Sequence, residues 1–181
     1  FINNAEDICE RRRRLVQITT RVAASAMALL CTVWLNAQRQ GGSVNWASYG
    51  GDLGHQRYSP LAQIDAGNFN ALEVAWRFGT ANLGPRPEYE FEATPLVIDG
   101  MMYSTAGSRR AVVAIEATTG ELRWMYSLDE GPRGAAAPRQ LSGRGLSYWT
   151  DGRERRIVYV TPGYQLIALD ATTGRPVTTF G

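Results

Sequence analysis

From Asn45 onward the apolar residues fall in short runs separated by glycine-bearing turns, a pattern of strands rather than helices. Pro95-Leu-Val-Ile98, Met101-Met-Tyr-Ser-Thr105, Val112-Val-Ala-Ile115, Leu122-Arg-Trp-Met-Tyr126 and Ile157-Val-Tyr-Val-Thr161 are four or five residues long and rich in branched and aromatic side chains. Asp99-Gly100, between the first two runs, suits a two-residue hairpin turn whose positions need positive φ. Gly120 and Gly174 can each supply a left-handed residue where the chain reverses. The front of the chain is patterned differently. The basic run Arg11–Arg14 precedes 14 uninterrupted, mostly apolar residues, Val22–Leu35, and then the polar stretch Asn36–Gln40. A basic flank, a short apolar centre and a polar exit describe a secretory signal, and the stretch is shorter than the roughly 20 residues of a spanning helix. Cleavage after Ala37 and retention as an uncleaved anchor are both compatible with it. Residues 1–40 are therefore read as a signal peptide or membrane anchor region, and Arg12-Arg13 matches a twin-arginine signal only weakly.

Comparing the chain with itself exposes a repeat. Val113-Ala-Ile-Glu-Ala-Thr-Thr-Gly120 returns 54 residues later as Ile167-Ala-Leu-Asp-Ala-Thr-Thr-Gly174, with the same order of apolar, small, acidic and turn residues. An earlier partial copy ends in Leu72-Glu-Val-Ala-Trp-Arg-Phe78, whose Trp76 precedes Trp124 by 48 residues. Four short antiparallel strands at this period make one blade of a β-propeller, and each blade buries its faces only against its neighbours. The fold class expected is all-β. Without its front the chain has about 140 residues, room for two to three blades, whereas a closed propeller takes about four to eight. With its start at Phe1 and its end at Gly181 inside the repeat, the expectation is a piece of a longer domain.

Composition narrows the chemistry. Of 181 residues 44% are hydrophobic and 20% charged, enough apolar material for a packed core. All 19 basic residues are arginine, which removes Schiff-base chemistry and any P-loop. A single histidine, His55, excludes zinc sites built on several imidazoles and is read as a surface loop residue. Cys9 and Cys31 both lie near the front, so no redox pair or covalent haem site follows them. The net charge of +2 owes much to the arginine run, and no nucleic-acid partner is expected.

The repeat A-[IL]-[DE]-A-T-T-G-x-x-x-W, complete from Ala114 to Trp124, resembles the tryptophan-docking motif of quinoprotein dehydrogenases. Those are eight-bladed propellers that carry pyrroloquinoline quinone (PQQ), and the motif's turn places each tryptophan against the neighbouring blade. In the second copy Thr178 stands where Trp124 does, so docking there is expected to be weaker or to fall to Phe180. Trp46-Ala-Ser-Tyr-Gly-Gly-Asp52, Arg57-Tyr-Ser-Pro-Leu61 and Gln63-Ile64 followed by Asn68 are similar to the amino-terminal part of the glucose- and alcohol-dehydrogenase-like branches. On this resemblance residues 41–181 are a partial PQQ-type propeller, the amino-terminal part of a periplasmic enzyme, or one facing the periplasm from the inner membrane.

Two cofactor-binding residues follow from the resemblance, Glu92 in Phe91-Glu-Ala-Thr-Pro-Leu96 and Arg144 in Arg144-Gly-Leu-Ser-Tyr-Trp149. PQQ is a planar tricarboxylate, so guanidinium forks suit its carboxylates and a positioned side chain can hold a ring substituent. Outside that context Glu92 reads as one more exposed acid beside Glu88 and Glu90, and Arg144 as a surface arginine among Arg133, Arg139 and Arg153. Trp124 and Trp149 read as core or docking residues, Asp99 and Asp151 as turn formers. Methanol-dehydrogenase members carry a vicinal disulfide just before this arginine; Pro138 and Arg139 occupy those positions here, which points toward the sugar- and polyol-oxidising branches. The family implies oxidation of a sugar, polyol or alcohol by hydride transfer to PQQ beside calcium, with ubiquinone or cytochrome c accepting electrons. No segment matches the catalytic aspartate or the calcium ligands, which are expected outside this chain. Membrane association through residues 22–35 stays open, and the alternative reading is a non-catalytic propeller acting as a protein-binding scaffold.

Overall fold

The structure, a computed structural model, describes residues 44–141 and 145–180, which belong to one compact unit, Ser43–Gly181. The region read as a signal or anchor, with Val22–Leu35, lies outside the described residues. Among the described residues no helix is long and apolar enough to cross a membrane.

Two antiparallel meanders form the unit. The first sheet runs β1 (Leu96–Ile98), β2 (Met101–Ala106), β3 (Ala111–Glu116) and β4 (Leu122–Tyr126); the second runs β5 (Ser147–Thr150), β6 (Arg155–Val160) and β7 (Leu166–Asp170). Beyond β7, Leu169 bridges Pro176, the counterpart 54 residues on of the Ile115 and Leu122 pair that joins β3 to β4. The second sheet thus begins the same four-strand pattern as the first. On the β1 side Trp46 adds a bridge to Val97 through two backbone hydrogen bonds, of 2.7 and 3.0 Å.

The hairpin chemistry matches the sequence reading. Asp99 and Gly100 take φ of 50° and 80°, the two left-handed positions of a primed turn, and Gly120 and Gly174 sit at 76° and 70°. Strand alternation then sorts the side chains onto two faces. Pairing puts Leu96, Tyr103, Ala114 and Trp124 in one cross-strand row, and Tyr148, Ile157 and Leu169 in another. These rows meet: Leu96, Ile98, Tyr103, Val112 and Ala114 form one buried cluster with Ile157, Tyr159, Leu169 and Ala171. Each large aliphatic side chain so buried contributes about 1.5–3 kcal/mol relative to exposure. The opposite face of the first sheet, Val113 and Ile115, is covered by Trp76, Phe78 and Leu83. β3 is therefore buried on both sides, as a strand between two layers must be.

The tryptophans tie these layers together by the same contact used twice. Trp124 Nε1 donates to the Ala171 carbonyl at 3.0 Å, and Trp76 Nε1 donates to the Ala117 carbonyl at 3.0 Å. In each case the ring lies against the glycine of the turn, Gly174 or Gly120, where an added Cβ would come within 2.5 and 2.7 Å of the indole. The Tyr103 hydroxyl donates to the Ala171 carbonyl as well, at 3.1 Å.

Three features lie at the edges of this pattern. Leu72–Phe78 docks through Trp76 but forms no strand among the described residues, because no other segment there offers it a ladder. Thr178 is exposed and Phe180 only half-buried, with no further blade turn among the described residues for either to meet. The all-β pattern is interrupted by α1 (Gly131–Ala135) and a 3-10 turn at Phe69–Ala71. Pro132 in the first turn of α1 needs no N–H donor there, which makes a short helix possible in a stretch that lacks apolar periodicity.

Candidate functional site

Antiparallel pairing sends several connections to one end of the sheets: the segment leading into β1, the Gly107–Arg110 turn between β2 and β3, the start of the crossing from β4 toward β5, and the loop 161–165 between β6 and β7. This end is where polar side chains gather. Arg109 pairs with Asp129 at 2.7 Å on the surface, and Glu88 accepts the Gly107 N–H at 2.8 Å. Arg86 donates to the Gln140 side chain at 3.1 Å and to the Tyr89 hydroxyl at 3.2 Å. A cavity of about 350 Å³ opens among them, lined by Arg86, Ser108, Arg109, Asp129, Glu130 and Gln140.

Two side chains fasten the crossing segment over this end. Glu130, just ahead of α1, accepts from the Thr161 hydroxyl at 2.7 Å, the Gly163 N–H at 2.6 Å and the Gln165 amide at 2.8 Å. Burial pushes its carboxyl up, but those three donors and the Arg133 charge outweigh burial and hold it below the usual carboxylate range. Arg133 takes the other side of the same residue, its Nε donating to the Gly163 carbonyl at 2.6 Å. Arg110, buried and in a left-handed backbone conformation, donates to the carbonyls of Arg139, Leu141 and Val160. The sequence reading missed Glu130 and Arg110. Their roles depend on loops packed across two blades, and the signal was no more than an acid before a Gly-Pro pair and one arginine of a pair.

Glu92 lies on the segment leading into β1, four residues ahead of Leu96, with its side chain exposed and no hydrogen bond or ion pair among the described residues. Arg144 falls outside the described residues. Asp151 is a turn former: its Oδ1 accepts the N–H groups of Arg153 and Glu154, which hold its carboxyl low. Asp99 does more than form a turn, since it exchanges two hydrogen bonds with Asn45 and contacts Arg155 of the second sheet at 3.4 Å. His55 is exposed, and Trp149 is partly exposed beneath the Arg156 guanidinium, 4.9 Å from the ring centre. Among the described residues no group of three His, Cys, Asp or Glu side chains could hold a metal ion.

Two tryptophans docked on repeated Ala-Thr-Thr-Gly turns define a blade type, and the family comparison agrees with it. Residues 46–181 match the PQQ family model described as glucose/ethanol/alcohol dehydrogenase, β-propeller domain. The chain belongs to this family. It is 33% identical over 177 residues to the dehydrogenase subunit of the quinone alcohol dehydrogenase of Gluconobacter oxydans, covering 92% of this chain and 22% of that protein. It is 36% identical over 149 residues to quinohemoprotein alcohol dehydrogenase ADH IIB of Pseudomonas putida, covering 79% and 19% respectively. The structure of quinohemoprotein alcohol dehydrogenase from Comamonas testosteroni superposes with a TM-score of 0.60 at 33% identity, covering 75% of this chain and 19% of that one. The chain thus spans about a fifth of the length of these relatives. The β-propeller class and the quinoprotein dehydrogenase resemblance read from the sequence both hold.

Proposed function

We propose that this chain supplies the first blades of a quinoprotein dehydrogenase that oxidises alcohols, polyols or sugars at a CH–OH carbon. The family match over residues 46–181, with its two docked tryptophans, carries the reading. Relatives named as quinone and quinohemoprotein alcohol dehydrogenases support alcohols first among the substrates. When bound, PQQ supplies an acceptor for the hydride removed from the substrate.

The residues of this chain fit a part in holding that group. Glu92 offers a carboxylate ahead of β1 that has no partner among the described residues, at the end of the sheets where the connections gather, so a ligand there would meet an available acceptor. Arg144, ahead of β5 in the chain, would offer a guanidinium to a PQQ carboxylate. The catalytic base and a calcium site belong, in this proposal, to further blades. A basic then apolar front supports export to the periplasm, where a cytochrome c or ubiquinone would take the electrons.

Glu92 and Arg144 are testable in the full-length protein. Glu92→Gln and Arg144→Ala should each weaken PQQ binding about tenfold, the scale of one lost charge-assisted hydrogen bond. PQQ titration of the apoenzyme, followed by quinone absorbance, reads this directly. Affinity within twofold of the wild type in either variant would remove that residue from the cofactor site.

A further inference from the structure

The cavity of about 350 Å³ at the connection end is not lined by Glu92, and the proposed dehydrogenase chemistry makes no use of its walls. Those walls are built by close backbone approach. An added Cβ at Gly107 would lie 1.8 Å from the Leu83 carbonyl oxygen, and one at Gly84 would lie 2.3 Å from Ser108 Oγ. Only glycine at both places lets residues 83–86 lie against the β2–β3 turn, and Glu88 fastens the contact by accepting the Gly107 N–H at 2.8 Å. Arg86 is thereby set among the lining residues. Its terminal nitrogens donate to the Tyr89 hydroxyl at 3.2 Å and to Gln140 Oε1 at 3.1 Å, and the Gln140 amide is itself anchored, its Nε2 donating to the Ala135 carbonyl at 2.7 Å.

The charges around the cavity are unevenly committed. Asp129 pairs with Arg109 at 2.7 Å and accepts the Gly131 N–H, while Glu130 is taken up by Thr161, Gly163 and Gln165. Arg86 has no carboxylate partner among the described residues, and its side chain spends two of a guanidinium's five N–H donors, both on neutral acceptors. Ser108 adds a further donor. Only 4% exposed, it accepts the Arg86 backbone N–H at 3.4 Å, but its own hydroxyl hydrogen has no acceptor among the described residues. Pro85, Leu128, Ala135 and Pro162 complete the lining with apolar surface. We propose that this cavity binds a small organic carboxylate with an apolar body, its carboxylate held by Arg86 and Ser108, at a site separate from the cofactor's. The planar guanidinium suits a carboxylate, and the apolar wall suits what the carboxylate is attached to. Because the lining comes from the segment ahead of β1, the β2–β3 turn, the crossing and the loop after β6, the ligand bridges both blades and should stabilise them.

Benzoate is the probe, titrated calorimetrically into the full-length protein with and without PQQ, with melting temperature followed in parallel. Saturable binding that raises the melting temperature and is indifferent to PQQ is expected, with benzamide, the same shape without the charge, binding at least about tenfold more weakly. Arg86→Gln should weaken benzoate about tenfold and Ser108→Ala about threefold. Arg123→Gln, which removes the same charge from an exposed pair near the β3–β4 turn, should stay within about twofold. Should Arg86→Gln fail to fold, Ser108→Ala and the benzamide comparison carry the test. Absence of saturable benzoate binding would overturn the site, as would equal binding of benzamide or inorganic phosphate, or unchanged affinity in a folded Arg86→Gln or Ser108→Ala protein. Loss of benzoate binding on loading PQQ would overturn its separation from the cofactor. A wild type that binds benzoate as described but no PQQ would uphold this site and overturn the cofactor reading alone.

Discussion

Replacing Trp124 with alanine in the full-length protein is expected to cost about 3–5 kcal/mol, the scale of large aromatic deletions from a core that cannot collapse around the hole. Three contacts fail together. The indole leaves the buried cluster between the sheets, its tilted packing on Tyr103 at 5.9 Å is lost, and the Ala171 carbonyl keeps one donor, Tyr103, of its two. Trp124→Phe separates these effects, because it keeps most of the packing and deletes the N–H, and should cost about 1 kcal/mol more than packing alone accounts for. Differential scanning calorimetry of the two variants beside the wild type checks both. A Trp124→Ala protein with wild-type stability would mean that blade docking does not run through this residue.

Gly174→Ala should be nearly as damaging, at about 2–5 kcal/mol, for two reasons that add. At φ 70° an L-residue bears a left-handed penalty of about 1–2 kcal/mol. Its Cβ would also come within 2.5 Å of Trp124 Cε3, forcing an overpacked contact worth about 1–3 kcal/mol. Gly152→Ala is the natural comparison, since Gly152 sits at φ 89° with nothing within 4 Å of the added methyl. Chemical denaturation of both variants should show Gly174→Ala losing clearly more than Gly152→Ala. Equal losses would leave only the backbone term and contradict the docking geometry.

Legibility in the sequence followed the range of the physics. Strands, hairpin turns and left-handed glycines are set by neighbours in the chain, so Asp99-Gly100, Gly120 and Gly174 could be read directly. The docking contact was legible through the resemblance of Ala114–Trp124 to a known tryptophan-docking motif. Leu72–Phe78, the end of a partial repeat copy, forms no strand among the described residues, since a strand exists only where a partner supplies hydrogen bonds, and no residue within the run reports that partner. Arg110 and Glu130 were invisible for a related reason: each bonds groups some 29 to 50 residues away, contacts that only the stacking of two blades creates. Glu92 became a candidate through resemblance alone.

That cofactor provides the most direct measurement: alcohol-dependent dye reduction by the purified full-length protein, before and after the apoenzyme is supplied with PQQ and calcium. The account predicts background activity in the apoenzyme, a rise of at least 100-fold (about 2.7 kcal/mol) on adding PQQ, and loss of that rise when PQQ is withheld. A protein that neither binds PQQ nor oxidises any alcohol, polyol or sugar when supplied with it would contradict the account.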